Sequence, residues 1–206
     1  MLEFSRIWIY NIYVCFFERN GNMNKYTMEI AGVKRELPLC RVNDNLYIAA
    51  FIMFGDVEVT KASAEALLKM APEHDIMITA ECKGIPLLYE MARQSGQNNY
   101  IVARKAPKIY MEDVVFTHVN SITTEKEQQL CIGKTEIEAL KGKRVLIVDD
   151  VISTGDSLAA IEKLVEQVGG IVVGKMAVLA EGEARDRDDI TYLSPLPVFD
   201  AEGNIL

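Results

Sequence analysis

A chain of 206 residues is long enough for one good-sized domain or two small ones, and that length favours one core with an appendage. Half of the residues are apolar, a quarter are charged and the mean hydropathy is +0.08, the profile of a globular protein rather than a disordered one. Lys and Arg number 22 against 30 Asp and Glu, a formal charge of −8, which argues against a broad basic face for nucleic acid and means that an anionic substrate would need a local patch of positive charge.

The first apolar stretch, Ile7 to Phe17, is too short to span a bilayer. It also lacks the basic lead and small-residue cleavage site of a signal peptide, since Glu3 precedes it and Phe16-Phe17-Glu18 closes it. No membrane role is expected. Two readings of residues 1–22 stay open: a start codon placed too far upstream of Met23, or an extra strand or interface arm. Cys15, Cys40, Cys82 and Cys131 form no C-x-x-C pair, and His74 and His118 stand apart from them, so no metal-ligand cluster is expected. Scattered cysteines indicate reduced thiols in a cytoplasm.

From Tyr26 to Val59 the pattern is strand-like. Val42 and Leu46-Tyr47-Ile48 flank Asn43-Asp44-Asn45, which predicts a hairpin in a small subdomain. Thr60 is placed to cap a helix whose Ala62, Ala66, Leu67 and Met70 keep helical spacing until Pro72. Ile76 to Ala80 is an apolar run of strand length, and Gly84-Ile85-Pro86 opens a helix carrying Leu87, Leu88, Met91 and Ala92. Tyr100 to Ala103, Val145 to Val148, and Ile171 to Val173 with Met176 to Ala180 supply further buried strands, and strands this apolar belong in a parallel sheet. Leu158, Ile161, Leu164, Val165 and Val168 share one helix face, with Gly169 as its C-cap.

Strand and helix alternation of this kind predicts an α/β fold with a doubly wound, mainly parallel sheet. Residues 105–132 depart from the alternation. Thr123 to Gln129 form a polar tip between two weak strand-like arms, the pattern of a flexible lid hairpin or of a solvated hairpin without a role.

The most informative stretch is Val145 to Ser157, VLIVDDVISTGDS, an apolar strand ending in two carboxylates and then entering a turn that opens a helix. Such strand ends bind substrates. The backbone N–H groups of Ser153 to Ser157, backed by the positive end of the helix, suit a phosphate. Thr154 and Ser157 add hydroxyl donors, and Gly155 lets the backbone approach without a Cβ in the way. Asp149 and Asp150 are placed to accept hydrogen bonds from a diol, so a sugar phosphate is implied. A receiver of the response-regulator kind also carries such an acidic strand end, but that motif opens a receiver, and only 56 residues follow Asp150.

This stretch resembles the 5-phosphoribosyl pyrophosphate (PRPP) signature of the type I phosphoribosyltransferases, nearest the adenine enzymes. The likeness extends from about Ile76 to about Ala180. Glu81-Cys82-Lys83-Gly84 is similar to the family's pyrophosphate loop, with Lys83 the matching cation and a non-proline cis peptide often found there. Arg104-Lys105 with Lys108 resembles the basic segment before the lid. The resemblance implies a core over about 60–182, a hood from 26–59 and 190–206, and a phosphoribosyltransferase domain over 23–206. It also implies a cytoplasmic homodimer that acts on PRPP and a purine base with Mg2+ held mainly through PRPP and no dedicated protein cage.

In that reading Asp149 and Asp150 serve the ribose hydroxyls, and Lys83 and Arg104, with Lys105 and Lys108, the pyrophosphate. Ser153, Thr154, Gly155, Asp156 and Ser157 hold the 5′-phosphate. Asp156 departs from the usual small residue and is expected to cap the helix. Where 6-oxopurine enzymes carry an aspartate that protonates or hydrogen-bonds the purine ring this chain has Ser153, which cannot hold that extra proton at neutral pH. Lys108 is followed by Ile109-Tyr110-Met111 rather than the His-Gly of orotate enzymes. The C-terminal Leu196-Pro197-Val198-Phe199 resembles the adenine enzymes' hood, although their lid Glu-Tyr-Gly is replaced by Thr124 to Glu127, leaving Glu125 and Glu127 as substitutes. The alternative is a PRPP-sensing regulator, which would need a winged helix where residues 1–59 read as an arm and strands.

Overall fold

A computed structural model describes residues 25–119 and 128–206. The expectations for residues 1–22, for Cys15 and for Glu125 and Glu127 lie outside the described residues. The described residues divide into two units: a smaller one of residues 25–28, Lys34–Phe51 and Pro197–Leu206, and a larger one drawn from Glu29–Val33 and the described part of Ile52–Leu196.

The sheet of the smaller unit has the order β1 (Lys25–Ile30), β2 (Val33–Arg41), β3 (Tyr47–Ala49), β11 (Val198–Phe199). Strands β2 and β3 are antiparallel, and the turn between them is the one expected at Asn43-Asp44-Asn45. The Asn43 side chain accepts from the Asn45 N–H at 2.9 Å, and the N–H groups of Val42 and Asn43 both donate to the Leu46 carbonyl. Short polar side chains that bond their own backbone make such turns without help from the core. The strand-like pattern does not persist to Val59: Val57 already opens a helix.

That helix is α1 (Val57–Leu68) in the larger unit. It starts three residues before the predicted cap. Asp56 Oδ1 accepts from the Val59 N–H at 3.2 Å, while the Thr60 hydroxyl, already inside the helix, donates back to the Asp56 carbonyl at 2.7 Å. A carboxylate at the first turn serves the free N–H groups, so Asp56 takes the cap and Thr60 cannot.

The core sheet has the order β10 (Thr191–Leu196), β9 (Ile171–Glu181), β8 (Arg144–Ile152), β4 (Ile76–Ala80), β5 (Ile101–Ala103), with every adjacent pair parallel. All five residues of β4 are buried, which is why the run is apolar without alternation. Helix α2 (Ile85–Ser95) starts with Pro86 in its first turn, as read from the sequence. The two apolar runs after Gly169 form the single strand β9. An irregularity in the register, where Leu146 pairs with Gly174 after Val145 pairs with Val172, absorbs one extra residue and keeps both runs paired to β8.

Strands β6 (Val115–Val119) and β7 (Gln128–Ile132) are the two antiparallel arms expected of the excursion. Their thin apolar content conceals an anchor. Leu130, Cys131 and Ile132 are buried, and Cys131 exchanges two 2.8 Å backbone hydrogen bonds with Arg104 just beyond β5. Helix α3 (Lys134–Leu140), which the sequence reading did not anticipate, follows, with the Gly133 N–H donating to Glu136 at 3.0 Å. Helix α4 (Asp156–Gln167) buries Leu158, Ala160, Ile161, Leu164 and Val165, and its C-cap is Val168 rather than Gly169, which lies one residue beyond.

Candidate active site

Strand β8 runs past its two aspartates to Ile152, four residues longer than the apolar run from Val145 to Val148 predicts. Asp150 is 2% exposed and Asp149 is half-buried. The Asp150 N–H donates to Asp149 Oδ1 at 2.9 Å, and Lys83 Nζ stands 3.3 Å from Asp150 Oδ2. Burial pushes the Asp149 carboxyl well above the usual carboxylate range, the Asp150 charge adds to this, and Lys83 opposes it. Asp150 Oδ2 is buried without a hydrogen-bond partner among the described residues. Two crowded carboxyls, one with a buried oxygen that has an ion-pair partner but no hydrogen bond, gain from a ligand that brings hydroxyl donors or positive charge.

The next residues turn the chain into α4. Gly155, at φ +85°, is the N-cap, a conformation that costs a side-chain residue energy. A Cβ there would also run into the Arg187 guanidinium. Asp156 is therefore the first helical residue and not the cap; its N–H is 3.4 Å from Thr154 Oγ1. Its charge still suits the helix start. Ser153 and Thr154 are exposed at the strand end, so the loop is open to an anion.

Beyond β4, the Glu81–Cys82 peptide is cis, where the resemblance places a non-proline cis bond. Gly84 cannot be larger, since a Cβ would strike the Thr79 hydroxyl and lie 2.9 Å from Asp149 Oδ1. Glu81 works as a brace. Its N–H donates to the Ala103 carbonyl at 2.8 Å, and its carboxylate accepts from the Lys105 N–H at 3.1 Å and pairs with Arg104 at 3.5 Å. The loops after β4 and β5 are thereby joined, with Lys83 and Arg104 both on the carboxyl edge of the sheet. Cys82 is an exposed free thiol. Lys108 lies close enough to Cys131 to act on its thiol together with Arg104, although burial prevails and pushes that thiol up. Lys105 is exposed, with its backbone rather than its side chain tied to Glu81.

Two residues at the same edge escaped the sequence reading. Glu181 ends β9. Burial raises its carboxyl, while the nearby Ser153 side chain and the Lys83 charge oppose the rise. Arg187 lies against Gly155 and is held by Asp189 through bonds of 2.9 and 2.8 Å; Asp189 in turn takes Lys175 at 2.7 Å, and Lys175 reaches Glu162 at 3.1 Å. A signal for Glu181 was present: Val-Leu-Ala-Glu is a buried strand ending in a carboxylate, the same pattern as Ile-Val-Asp on β8.

The Mg2+ implied by the resemblance can be tested against these donors. No three His, Cys, Asp or Glu side chains among the described residues group tightly enough to hold a metal. A pair of carboxylates with one buried oxygen lacking a hydrogen bond suits an ion that keeps most of its waters and takes other ligands from a polyphosphate. The residues present fit such an ion.

Parallel sheets of this build take phosphorylated ligands at their carboxyl edge. An open turn at the start of α4, an acidic pair and a lysine-bearing loop meet at that edge, an arrangement suited to a phosphorylated ligand. The chain belongs to the phosphoribosyl transferase domain family, whose match covers residues 56–200. Its fold is that of the type I phosphoribosyltransferases. An adenine phosphoribosyltransferase of Petrotoga mobilis is 31% identical over 178 residues, covering 82% of this chain and 91% of that protein. A hypoxanthine/guanine phosphoribosyltransferase of Methanococcus voltae is 34% identical over 113 residues, covering 55% of this chain and 56% of that protein. The crystal structure of adenine phosphoribosyltransferase from Thermoanaerobacter pseudethanolicus has a TM-score of 0.58 at 26% identity, covering 69% of this chain and 84% of that one.

Proposed function

We propose that this protein transfers 5-phosphoribose from PRPP to adenine, giving AMP and pyrophosphate, as a cytoplasmic homodimer working with Mg2+. The observation that carries the reading is the buried Oδ2 of Asp150, which has no hydrogen-bond partner among the described residues and the Lys83 ammonium at 3.3 Å, beside Asp149 and just ahead of the open turn that starts α4. The loop from Ser153 to Ser157 holds the 5′-phosphate through backbone N–H groups and the start of α4. Asp149 and Asp150 accept from the ribose hydroxyls. Lys83 and Arg104 face the pyrophosphate, with Lys105 and Lys108 adding positive charge as it departs. Mg2+ bound beside Asp149 and Asp150 supplies charge neutralisation for the polyphosphate.

As the base nitrogen bonds to C1′, the bond from C1′ to the pyrophosphate oxygen breaks and its electron pair leaves with pyrophosphate. Most of the rate comes from positioning and from cations aimed at the charge that develops. Strands β4 and β5, whose loops carry Lys83 and Arg104, flank β8 on one side, so the cations gather on that side of the acidic strand end.

Ser153 supports adenine over 6-oxopurines, because a lone serine cannot supply the proton that an aspartate holds at that position in the 6-oxopurine enzymes. Competition among adenine, hypoxanthine, guanine, xanthine and orotate at equal concentration with PRPP tests the assignment. Adenine is expected to be consumed first with AMP formed. Preferential use of guanine, hypoxanthine or xanthine would overturn it.

A further inference from the structure

The turn from Ser153 to Ser157 contains no lysine or arginine, and its only charged residue, Asp156, is acidic. A phosphate dianion seated there has backbone dipoles to neutralise it and a carboxylate next to it in the chain. A cation from another element would complete the cradle.

Arg187 is the cation that the fold brings to this turn. A Cβ on Gly155 would strike Arg187 Nη1 and lie 3.6 Å from Cζ, so the guanidinium fills the space that a side chain at the bend would take. The opposite edge of the group fixes its direction. Nε and Nη2 donate to the two carboxylate oxygens of Asp189 at 2.9 and 2.8 Å, a fork meeting a fork. Nη1 takes no part in that pair and is the nitrogen beside Gly155.

The brace extends further. Asp189 also accepts from Lys175 on β9 at 2.7 Å, and Lys175 reaches Glu162 on α4 at 3.1 Å, so the residue that aims Arg187 is tied to the helix that the turn opens. The connection from β9 to β10, which carries Arg187, is pinned as well. The Arg187 N–H donates to the Ala184 carbonyl at 3.3 Å, and the Tyr192 hydroxyl on β10 donates to the Arg185 carbonyl at 2.7 Å. A guanidinium held in this way loses little freedom on meeting an anion.

Resting on the reading that Ser153 to Ser157 holds the 5′-phosphate, we propose that Arg187 is a further binding residue for that phosphate, with Nη1 adding a charged donor at the Gly155 bend. Asp189 is the positioning residue that aims it. The Asp189 carboxylate occupies the far edge of the guanidinium, so the turn faces the positive edge of the pair. Glycine at 155 then has a second reason beyond its φ, since any side chain would displace the guanidinium. The 5′-phosphate takes no part in bond making, so loss of Arg187 should be felt in binding rather than in the chemical step.

Titration calorimetry with AMP, adenosine and pyrophosphate, with steady-state kinetics in PRPP, on the full chain and on Arg187→Met and Arg187→Lys, tests this role. AMP and adenosine differ only in the 5′-phosphate, and pyrophosphate reports on the other end of the site. Arg187→Met is expected to weaken AMP binding and raise the KM for PRPP by roughly 10- to 150-fold, the range for one charged hydrogen bond. Adenosine and pyrophosphate binding and kcat should stay within about threefold of wild type. Arg187→Lys should recover part of the loss, since an ammonium keeps the charge but cannot hold Asp189 by a fork and face Gly155 together. AMP binding within about threefold of wild type in Arg187→Met, or an equal weakening of all three ligands, overturns the role and leaves the functional reading standing. If circular dichroism shows that Arg187→Met does not fold, Arg187→Lys carries the test, and AMP binding within about twofold of wild type there overturns the role. A wild type that binds AMP no more tightly than adenosine overturns the phosphate-binding turn, and the role of Arg187 with it.

Discussion

Asp149 and Asp150 sit side by side on one strand end, and the protein tolerates their mutual repulsion rather than relieving it with a second cation beside Lys83. A charged acceptor of this kind contributes about 1.5–3 kcal/mol to each hydrogen bond it makes, so Asp149→Asn and Asp150→Asn should each lower kcat/KM for PRPP by roughly 10- to 150-fold. Two variants as active as wild type would remove the pair from the site. Gly84 offers a second test, because a methyl group there meets Thr79 and Asp149 at once. Displacing them costs about 1–3 kcal/mol of stability, so Gly84→Ala should lower the melting temperature and, by shifting Asp149, also lower kcat/KM. A Gly84→Ala protein with unchanged kinetics would mean that the loop yields without disturbing Asp149.

Helix α4 ties the phosphate loop to the sheet. Its first residue follows Gly155, its inner face is Leu158, Ile161, Leu164 and Val165, and its Glu162 reaches Lys175 on β9. Leu164 is fully buried. Leu164→Ala should cost about 2–5 kcal/mol in urea unfolding, through lost burial plus the cavity left behind. The loop remains at the helix start, so the KM for PRPP should hardly move below the unfolding midpoint. A marked rise in KM at full folding would show that the packing of α4 also sets the phosphate loop.

Over the whole molecule, two sets of carboxyl groups pull the pH dependence of stability in opposite directions. Asp75, hydrogen-bonded to the Arg144 side chain and backbone, and Glu90, bonded to Arg93 and Gln94, are both held down at about 2, and Asp189 is lowered by Arg187 and Lys175. Their folded values lie below the unfolded ones, so their contribution is complete above the ordinary 3.8 to 4.5 and is lost as pH falls toward 2. Asp149 and Glu181 are raised instead, so ionising them costs stability that returns as they protonate. The ligand-free protein should therefore be most stable on the mildly acidic side of neutrality and lose stability steeply below about pH 4. Urea midpoints across this range measure it, and Glu90→Gln should flatten the acid slope. A stability that rises monotonically from acid to neutral pH would mean that the raised pair has no net effect.

Much of this protein is written locally. The apolar run Ile76 to Ala80, the turn Asn43-Asp44-Asn45 and the start of α2 at Pro86 depend on residues within a few positions of one another, and the chain folds them as its sequence predicts. What only the tertiary structure decided is which distant groups meet. Asp56 rather than Thr60 begins α1, because capping depends on which side chain can turn back to a free N–H group. Glu81 serves as a brace because β5, more than twenty residues away, brings Arg104 and Lys105 beside it. Glu181 joins Ser153 because the β8–β9 register, with its one-residue irregularity, brings the two strand ends level. Periodicity and turn chemistry act over a few residues and are legible in one dimension, whereas register, burial and charge pairing depend on which strands become neighbours, which no short window of sequence contains.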